Sequence, residues 1–186
     1  MRRGNEIPTI DVALVTISPE GSDEELALDT ANKIAVEPTI ETTESVKLII
    51  KNKLRAQKPE QNTLIGHQIT LSDNVFIPEL AVVLQGGVVT YDERNPSLAV
   101  GYKPPVVGSS DSGEKFVLNA YSTQYDEAGN IVRYEKISYP GCKGKPIALS
   151  AEDGVFRASE YVINSSPNDG EAPYEITYVD QLPIVE

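Results

Sequence analysis

The chain has 186 residues, with 28 acidic and 16 basic side chains, a formal net charge of −12 and a pI near 4.5. No apolar run approaches the roughly 20 residues that a membrane-spanning helix needs, so membrane insertion is not expected. One cysteine and one histidine leave no internal disulfide and no thiolate or two-histidine metal site within one chain, and the net negative charge disfavours sequence-specific nucleic-acid binding. Length and composition predict a single globular domain over residues 1–186.

The first part of the chain is the least regular. Apolar residues from Ile10 to Ile17 predict a strand, and the stretch from Ile34 to Ile40 predicts a weaker one.

A long hairpin arm is predicted over residues 46–71. Apolar and basic side chains alternate from Val46 to Lys58, which indicates a strand with one apolar face and spans about 40 Å at ~3.3 Å per residue. A turn over Lys58–Asn62 and a second alternating run from Thr63 to Leu71 complete the hairpin. Because strands are usually about five or six residues long, we expect the tip of this arm to overhang the domain.

A short helix is predicted from about Pro78 to Gln85, within residues 76–86. Proline suits the first helical turn, Leu80, Val83 and Leu84 form one apolar stripe, and the following glycines favour a C-terminal stop. Asp73 or Asn74 is the predicted N-cap.

The remainder is typical of β structure. Phe116 to Tyr125 and Ile131 to Tyr139 flank a turn-rich stretch and predict a second hairpin. Val155 to Ile163 and Tyr174 to Tyr178 predict two more strands, whereas residues 104–114 predict a loop. The fold class is therefore mainly β: two packed antiparallel sheets, as a β-sandwich or squat barrel, with one short flanking helix and a long protruding hairpin.

Charge is segregated along the sequence. Residues 18–44 carry eight acids and one base, whereas residues 47–58 carry five bases and no acid. The five bases are Lys47, Lys51, Lys53, Arg55 and Lys58.

Two interpretations of this basic segment stay open. The bases could line the solvated face of a strand, where lysines prevent edge-to-edge pairing. Alternatively, a basic arm docks on the acidic surface of another copy, and opposite potentials orient the encounter. If the arm of one copy binds a different surface on the next copy, the contacts run head to tail and generate rings or filaments.

The sequence contains none of the catalytic motifs that we looked for. We find no G-x-S-x-G or H-E-x-x-H motif, and Cys142 has no histidine nearby in sequence. His67 falls on the apolar face of its predicted strand, which favours a structural imidazole. The sequence predicts no enzyme activity, no catalytic residue, no cofactor and no metal.

Several phrases resemble the major tail (tail tube) proteins of bacteriophages and prophages of Gram-positive bacteria. The likeness runs from about residue 8 to residue 182 as a continuous similarity rather than a short signature. The phrases are Leu28–Pro38, Glu41–Glu44, Leu54–Gln61, Thr70–Phe76, Leu84–Gly87 and Pro173–Asp180.

This resemblance implies a structural virion protein. Six copies would close a ring, and rings would stack into a hollow tail tube through which phage DNA passes without specific binding during ejection. The implied partners are other copies of the chain, the tape measure protein, the tail terminator and the baseplate or distal tail proteins. The implied location is the virion tail, assembled in the host bacterial cytoplasm. Alternatives are the tube of a contractile tail-like particle or other injection machine, or a β-rich tail fibre or adhesion module.

The resemblance also assigns roles to particular residues. The arm would form the subunit interface, and the acids before it would be weak candidates for the wall of the bore. The interface residues are Lys47, Lys51, Lys53, Arg55, Lys58, Pro59, Glu60, Gln61 and Asn62, and the bore candidates are Glu41 and Glu44.

Overall fold

A computed structural model describes residues 7–22, 25–109, 113–149, 151–155 and 157–184. The described part of the chain is mainly β, with antiparallel strands in packed sheets and one helix. In chain order the elements are β1 (Thr9–Pro19), β2 (Leu26–Leu28), β3 (Ala31–Thr43), β4 (Val46–Ile50), β5 (Lys53–Lys58), β6 (Gln61–Asp73), α1 (Pro78–Gln85), β7 (Val88–Tyr91), β8 (Ala99–Lys103), β9 (Phe116–Tyr125), β10 (Ile131–Gly144), β11 (Ser159–Ser165) and β12 (Glu175–Val179).

Eight strands form the main sheet in the order β2-β1-β9-β10-β11-β6-β3, with β12 also paired to β10. The long strand β10 joins the two halves of this sheet. Its residues Tyr134–Ser138 pair with β12, whereas Cys142–Gly144 pair with β11. The pairing with β9 is irregular between Tyr139 and Cys142, where Gly141 adopts a φ of 59°. A bend at such an irregularity lets one sheet fold over its own apolar face.

The apolar core lies inside this folded sheet. One cluster of buried side chains contains residues from β1, β2, β3, β6, β9, β10, β11 and α1, so both ends of the strand order face the same interior. Strand β11 shows the underlying pattern, because Tyr161 and Ile163 are fully buried while Glu160 and Asn164 are exposed.

Helix α1 begins and ends where the sequence predicts, from Pro78 to Gln85. Its side chains Leu80 and Leu84 are fully buried in the core, and Gly86, with a φ of 78°, ends it by donating its N–H to the Val82 carbonyl at 2.8 Å. With eight residues it is far too short to cross a bilayer, and no helix in the described ranges is long and apolar enough to do so.

The predicted N-cap of α1 is wrong. Ile77 occupies that position and makes no side-chain cap. Asp73 is instead fully buried at the end of β6, where its Oδ1 accepts hydrogen bonds from the Thr30 hydroxyl at 2.6 Å and the Val75 N–H at 2.9 Å. Its carboxylate therefore stabilises the turn between the end of β6 and the start of α1.

Other boundaries differ from the sequence predictions. The strand predicted at Val155–Ile163 lies at Ser159–Ser165, and the short strand β2 and the β7–β8 hairpin were not predicted. The β9–β10 hairpin is confirmed. Residues 104–109 and 113–114 are irregular, as the predicted loop requires, while residues 110–112 of that loop lie outside the described part of the chain.

Gly66 in β6 offers a test of this packing. A Cβ at Gly66 would clash with the carbonyl oxygen of Ser165 in the neighbouring strand. We expect Gly66→Ala to lower the free energy of unfolding by about 3 kcal/mol, because backbone must move to relieve the contact. Urea titration of both proteins measures the difference.

Gly101→Ala is the matched control. Gly101 also lies in a strand, but its Cβ would meet the nearest atoms, in Thr90, at 3.8 Å or more, which is ordinary contact. Equal stability of the two variants would contradict the close approach at Gly66.

Candidate assembly arm

Strands β3 and β6 continue together beyond the core and carry the β4–β5 hairpin at their far end. Every residue from Glu37 to Ile65 is exposed, and we call this range the arm. The body ends at Val36 on β3, which is half-buried, and at Gly66 on β6, which is buried. Pairing of β3 with β6 persists along the arm as far as Thr43 and Gln61, so the arm is an extension of the main sheet.

The predicted bounds and course of the arm both differ from the structure. Residues 66–71 of the predicted range 46–71 lie in the body, where the strand is mostly buried. The chain does not run straight from Val46 to Lys58, because Lys51 and Asn52 fold it back between β4 and β5. Both residues have positive φ, 47° and 58°, as the two-residue turns that match strand twist require. The tip of this hairpin is therefore Lys51–Asn52, and the segment predicted as the tip, Lys58–Asn62, connects β5 to β6.

The segment that connects β5 to β6 turns at two exposed residues. Pro59 and Glu60 join the strands, while Gln61 and Asn62 begin β6 and pair with the end of β3. The Thr42 hydroxyl lies 2.7 Å from Asn62 Oδ1, and the Thr43 hydroxyl lies 3.3 Å from the Gln61 carbonyl oxygen. These hydrogen bonds fix the point where the ribbon gives way to the hairpin.

The core-facing side of the ribbon stays apolar after it leaves the core. On β3 the side chains of Ile34, Val36 and Ile40 share one face, because alternate residues of a strand point the same way. Ile40 lies opposite Leu64 of β6, yet these two side chains are 53% and 43% exposed. The arm thus extends the apolar surface of the body into solvent.

The hairpin at the end of the arm has no buried face. An extra residue, Arg55, shifts the register so that Leu54 lies opposite Ile49, while Leu48 lies opposite Ala56 on the other face. The predicted separation of one apolar and one basic face is therefore wrong. Eight large apolar side chains of the arm are exposed: Ile40, Val46, Leu48, Ile49, Ile50, Leu54, Leu64 and Ile65.

The charged side chains of the arm are also exposed to solvent. Within the described ranges, no carboxylate pairs with any of the five bases Lys47, Lys51, Lys53, Arg55 and Lys58. Glu41, on β3, and Glu44, just after it, are also exposed and flank the basic hairpin on the ribbon side. The arm therefore presents apolar and basic groups together.

The root of the arm is held by an aromatic cluster. His67 lies opposite Pro38 in the ladder, and its ring meets Tyr139 and Tyr174 edge-on, with centroids 5.7 and 5.5 Å away. The histidine is 7% exposed, and its Nδ1 has no hydrogen-bond partner among the described residues. Burial lowers the pKa of His67 below its ordinary value, because an uncharged ring is easier to desolvate.

Cys142 shows no sign of reactivity in this structure. Its side chain is fully buried, burial raises the pKa of the thiol to about 12, and its Sγ donates to the Tyr139 carbonyl at 3.2 Å. Among the described residues, no three His, Cys, Asp or Glu side chains are grouped so as to hold a metal ion.

Comparisons with protein-family models and with curated protein sequences give no match to this chain.

The buried histidine predicts a pH dependence of stability. Since the folded-state pKa lies below 6.5, the unfolded chain binds a proton first as the pH falls. The stability that His67 contributes is complete above pH 6.5 and is lost as the pH falls through that value. Urea titrations at pH 7.5, 6.5 and 5.5 should show this decline.

His67→Phe keeps an aromatic ring that cannot be protonated in this range, so the decline should be smaller in this variant. His67 is the only histidine in the chain, so no other imidazole contributes. Identical pH slopes in the two proteins would contradict the burial of a neutral ring.

Proposed function

We propose that this protein is a structural subunit that assembles with copies of itself into hexameric rings, stacked as a phage tail tube, and that the arm makes the contacts between copies. The single observation that carries the proposal is the arm, in which every residue from Glu37 to Ile65 is exposed. Eight large aliphatic side chains are exposed within this one range, and clusters of exposed apolar side chains are typical of interaction sites.

The magnitude of the apolar surface favours assembly over simple pairing. Fully burying a large aliphatic side chain contributes about 1.5–3 kcal/mol, so burying eight that are roughly half-exposed contributes on the order of 8 kcal/mol. Association itself costs roughly 4–15 kcal/mol in lost freedom of motion. One arm contact is thus marginal, whereas a closed ring or a stack, in which each subunit makes several contacts, is stable.

The distribution of charge also favours another copy of the chain as the partner of the arm. The chain carries a net charge of −12, while the hairpin at the end of the arm carries five bases that pair with no carboxylate of the described residues. Another copy of this acidic chain is therefore an electrostatically suitable surface for the arm. Polar and apolar contacts would act together, because the bases sit between exposed aliphatic side chains on the same hairpin.

The acidity of the chain also suits a conduit for DNA. A wall of like charge neither binds phosphates nor releases their counterions, so a duplex slides past it. Glu41 and Glu44 are candidates for such a wall, as exposed acids on the ribbon rather than on the basic hairpin. The tape measure, terminator and distal tail proteins are the partners that a tube subunit would need.

Removing the hairpin tests the role of the arm. Because Thr43 lies directly opposite Gln61, replacing residues 44–60 with Asn-Gly closes the ribbon with a two-residue turn. We expect this variant to melt at the temperature of the full chain, since no deleted residue is buried, and to stay monomeric. Light scattering and negative-stain electron microscopy of concentrated protein make the comparison.

Normal tubes from the shortened chain would show that the arm is not the interface. Assemblies of the full chain that lack six-fold symmetry or a central bore would instead favour a fibre or adhesion module.

Charge reversal tests the electrostatic part separately. Changing Lys51, Lys53 and Arg55 to Glu should weaken assembly most at low salt, because screening already weakens exposed pairs at high salt. The midpoint concentration for assembly at about 20 and 500 mM NaCl measures the effect.

The same reversal at Lys33, Arg94 and Lys103, which are exposed on the body, is the matched control for net charge. If both triple variants assemble equally well, the bases of the arm form only a solvated face.

A further inference from the structure

A small polar cavity lies against the root of the arm, between β3, β6 and β11. It has a volume of about 230 Å³ and is lined by Thr39, Ile65, Gly66, His67, Gln68, Lys145, Asn164, Ser165 and Ser166. None of these residues is acidic, although acids outnumber bases by 28 to 16 in the chain. The lining therefore has the opposite electrostatic character to the protein as a whole.

Several hydrogen-bond donors of this cavity are unused. No side-chain hydrogen bond within the described ranges engages the Thr39 hydroxyl, the Asn164 amide or the Ser166 hydroxyl. The ammonium group of Lys145 likewise lacks a carboxylate partner there. Ser165 differs, because its hydroxyl donates to the Pro140 carbonyl at 2.8 Å. These donors and one ammonium group therefore line the same cavity.

His67 adds a buried polar group without a partner to the lining. Its Nδ1 makes no hydrogen bond to any described residue, which is uncommon for a buried ring nitrogen. Two uncharged rings contact this imidazole, since Tyr139 and Tyr174 meet it edge-on. Glu37 lies opposite Gln68 in the ladder but does not line the cavity. The exposed Lys145 is thus the charged member of the lining.

We infer that this cavity binds a carboxylate group, and that in the assembly the carboxylate is a side chain of a second copy of this chain. Unused donors and one ammonium group match an acceptor-only ligand with a single negative charge. Acidic side chains are abundant on every copy, and the cavity lies where the arm joins the body. The second-copy source depends on the proposed assembly, whereas the chemistry of the cavity does not.

Because the chain has a single histidine, carboxylate binding at this cavity can be measured through the pKa of that residue. Proton NMR of the full chain, at a concentration where light scattering shows monomers, follows the one imidazole signal through a pH titration. Sodium acetate should raise the pKa of His67 by about one unit relative to sodium chloride at equal ionic strength. That rise corresponds to roughly tenfold tighter binding of acetate by the protonated ring.

Variants at Lys145 locate the response. Lys145→Gln should abolish the acetate-specific rise and Lys145→Arg should retain it, because arginine keeps the charge. Lys103→Gln, at an exposed position in β8, is the matched control and should respond as the unmodified chain does. An acetate response no larger than the chloride response, or an unchanged response in Lys145→Gln, would overturn the carboxylate site.

Assembly of the full chain identifies the source of the carboxylate. If it comes from a second copy, acetate should inhibit assembly more than chloride does, and Lys145→Gln should assemble more weakly than Lys103→Gln. Acetate binding without either effect would overturn the second-copy source and indicate a free small carboxylate. Failure of the full chain to assemble under any condition would count against the proposed function, while the acetate titration would still decide the chemistry.

Discussion

The antiparallel ladder between β3 and β6 is the constraint on which the rest of this molecule depends. From Ala31 and Asp73 it runs through the core, and after a register shift between Thr39 and Ile40 it continues to Thr43 and Gln61 in solvent. The same backbone hydrogen bonds that anchor the body therefore hold the arm at a fixed angle to it. Those bonds satisfy the backbone groups that the two strands turn toward each other, and the groups on the outer edges of the ribbon face solvent.

Close backbone packing at the root makes this arrangement rigid. Gly66 and Gly141 both lie where a Cβ would collide with the chain at Ser165 or Ser166, so the end of β11 passes against both strands. His67, Tyr139 and Tyr174 fill the adjoining space with edge-to-face contacts. A contact made far out on the arm could thus orient the whole body, as the proposed ring would require of each copy.

The exposed hairpin presents aliphatic and basic side chains together. Aliphatic side chains lie on both of its faces, and bases lie between them. Such a surface invites edge-to-edge aggregation in a free chain. The lysines and the arginine reduce this risk between identical hairpins, because like charges repel, while they favour contact with acidic surface. In the proposed assembly, the same side chains would both limit aggregation of the free chain and favour contact with another copy.

Sequence patterns determined the elements that local chemistry specifies. The helix from Pro78 to Gln85 follows from its proline, its apolar stripe and its terminal glycines, and the β9–β10 hairpin follows from two apolar runs around a polar turn. The mainly β class and an overhanging arm before the helix were likewise predictable. Short strands such as β2, with three residues, carry too little pattern to be recognised.

Tertiary structure decided what depends on distant partners. The turn at Lys51–Asn52 contains no glycine or proline, and the extra residue Arg55 has no sequence signature, so the course of the arm could not be predicted from alternation. Asp73 resembles a helix cap in sequence, but its carboxylate accepts a hydrogen bond from Thr30, 43 positions away. The cavity beside His67 combines residues of β3, β6 and β11 with Lys145. Local propensity acts between neighbours in the chain, whereas a site is made by groups that only folding brings together.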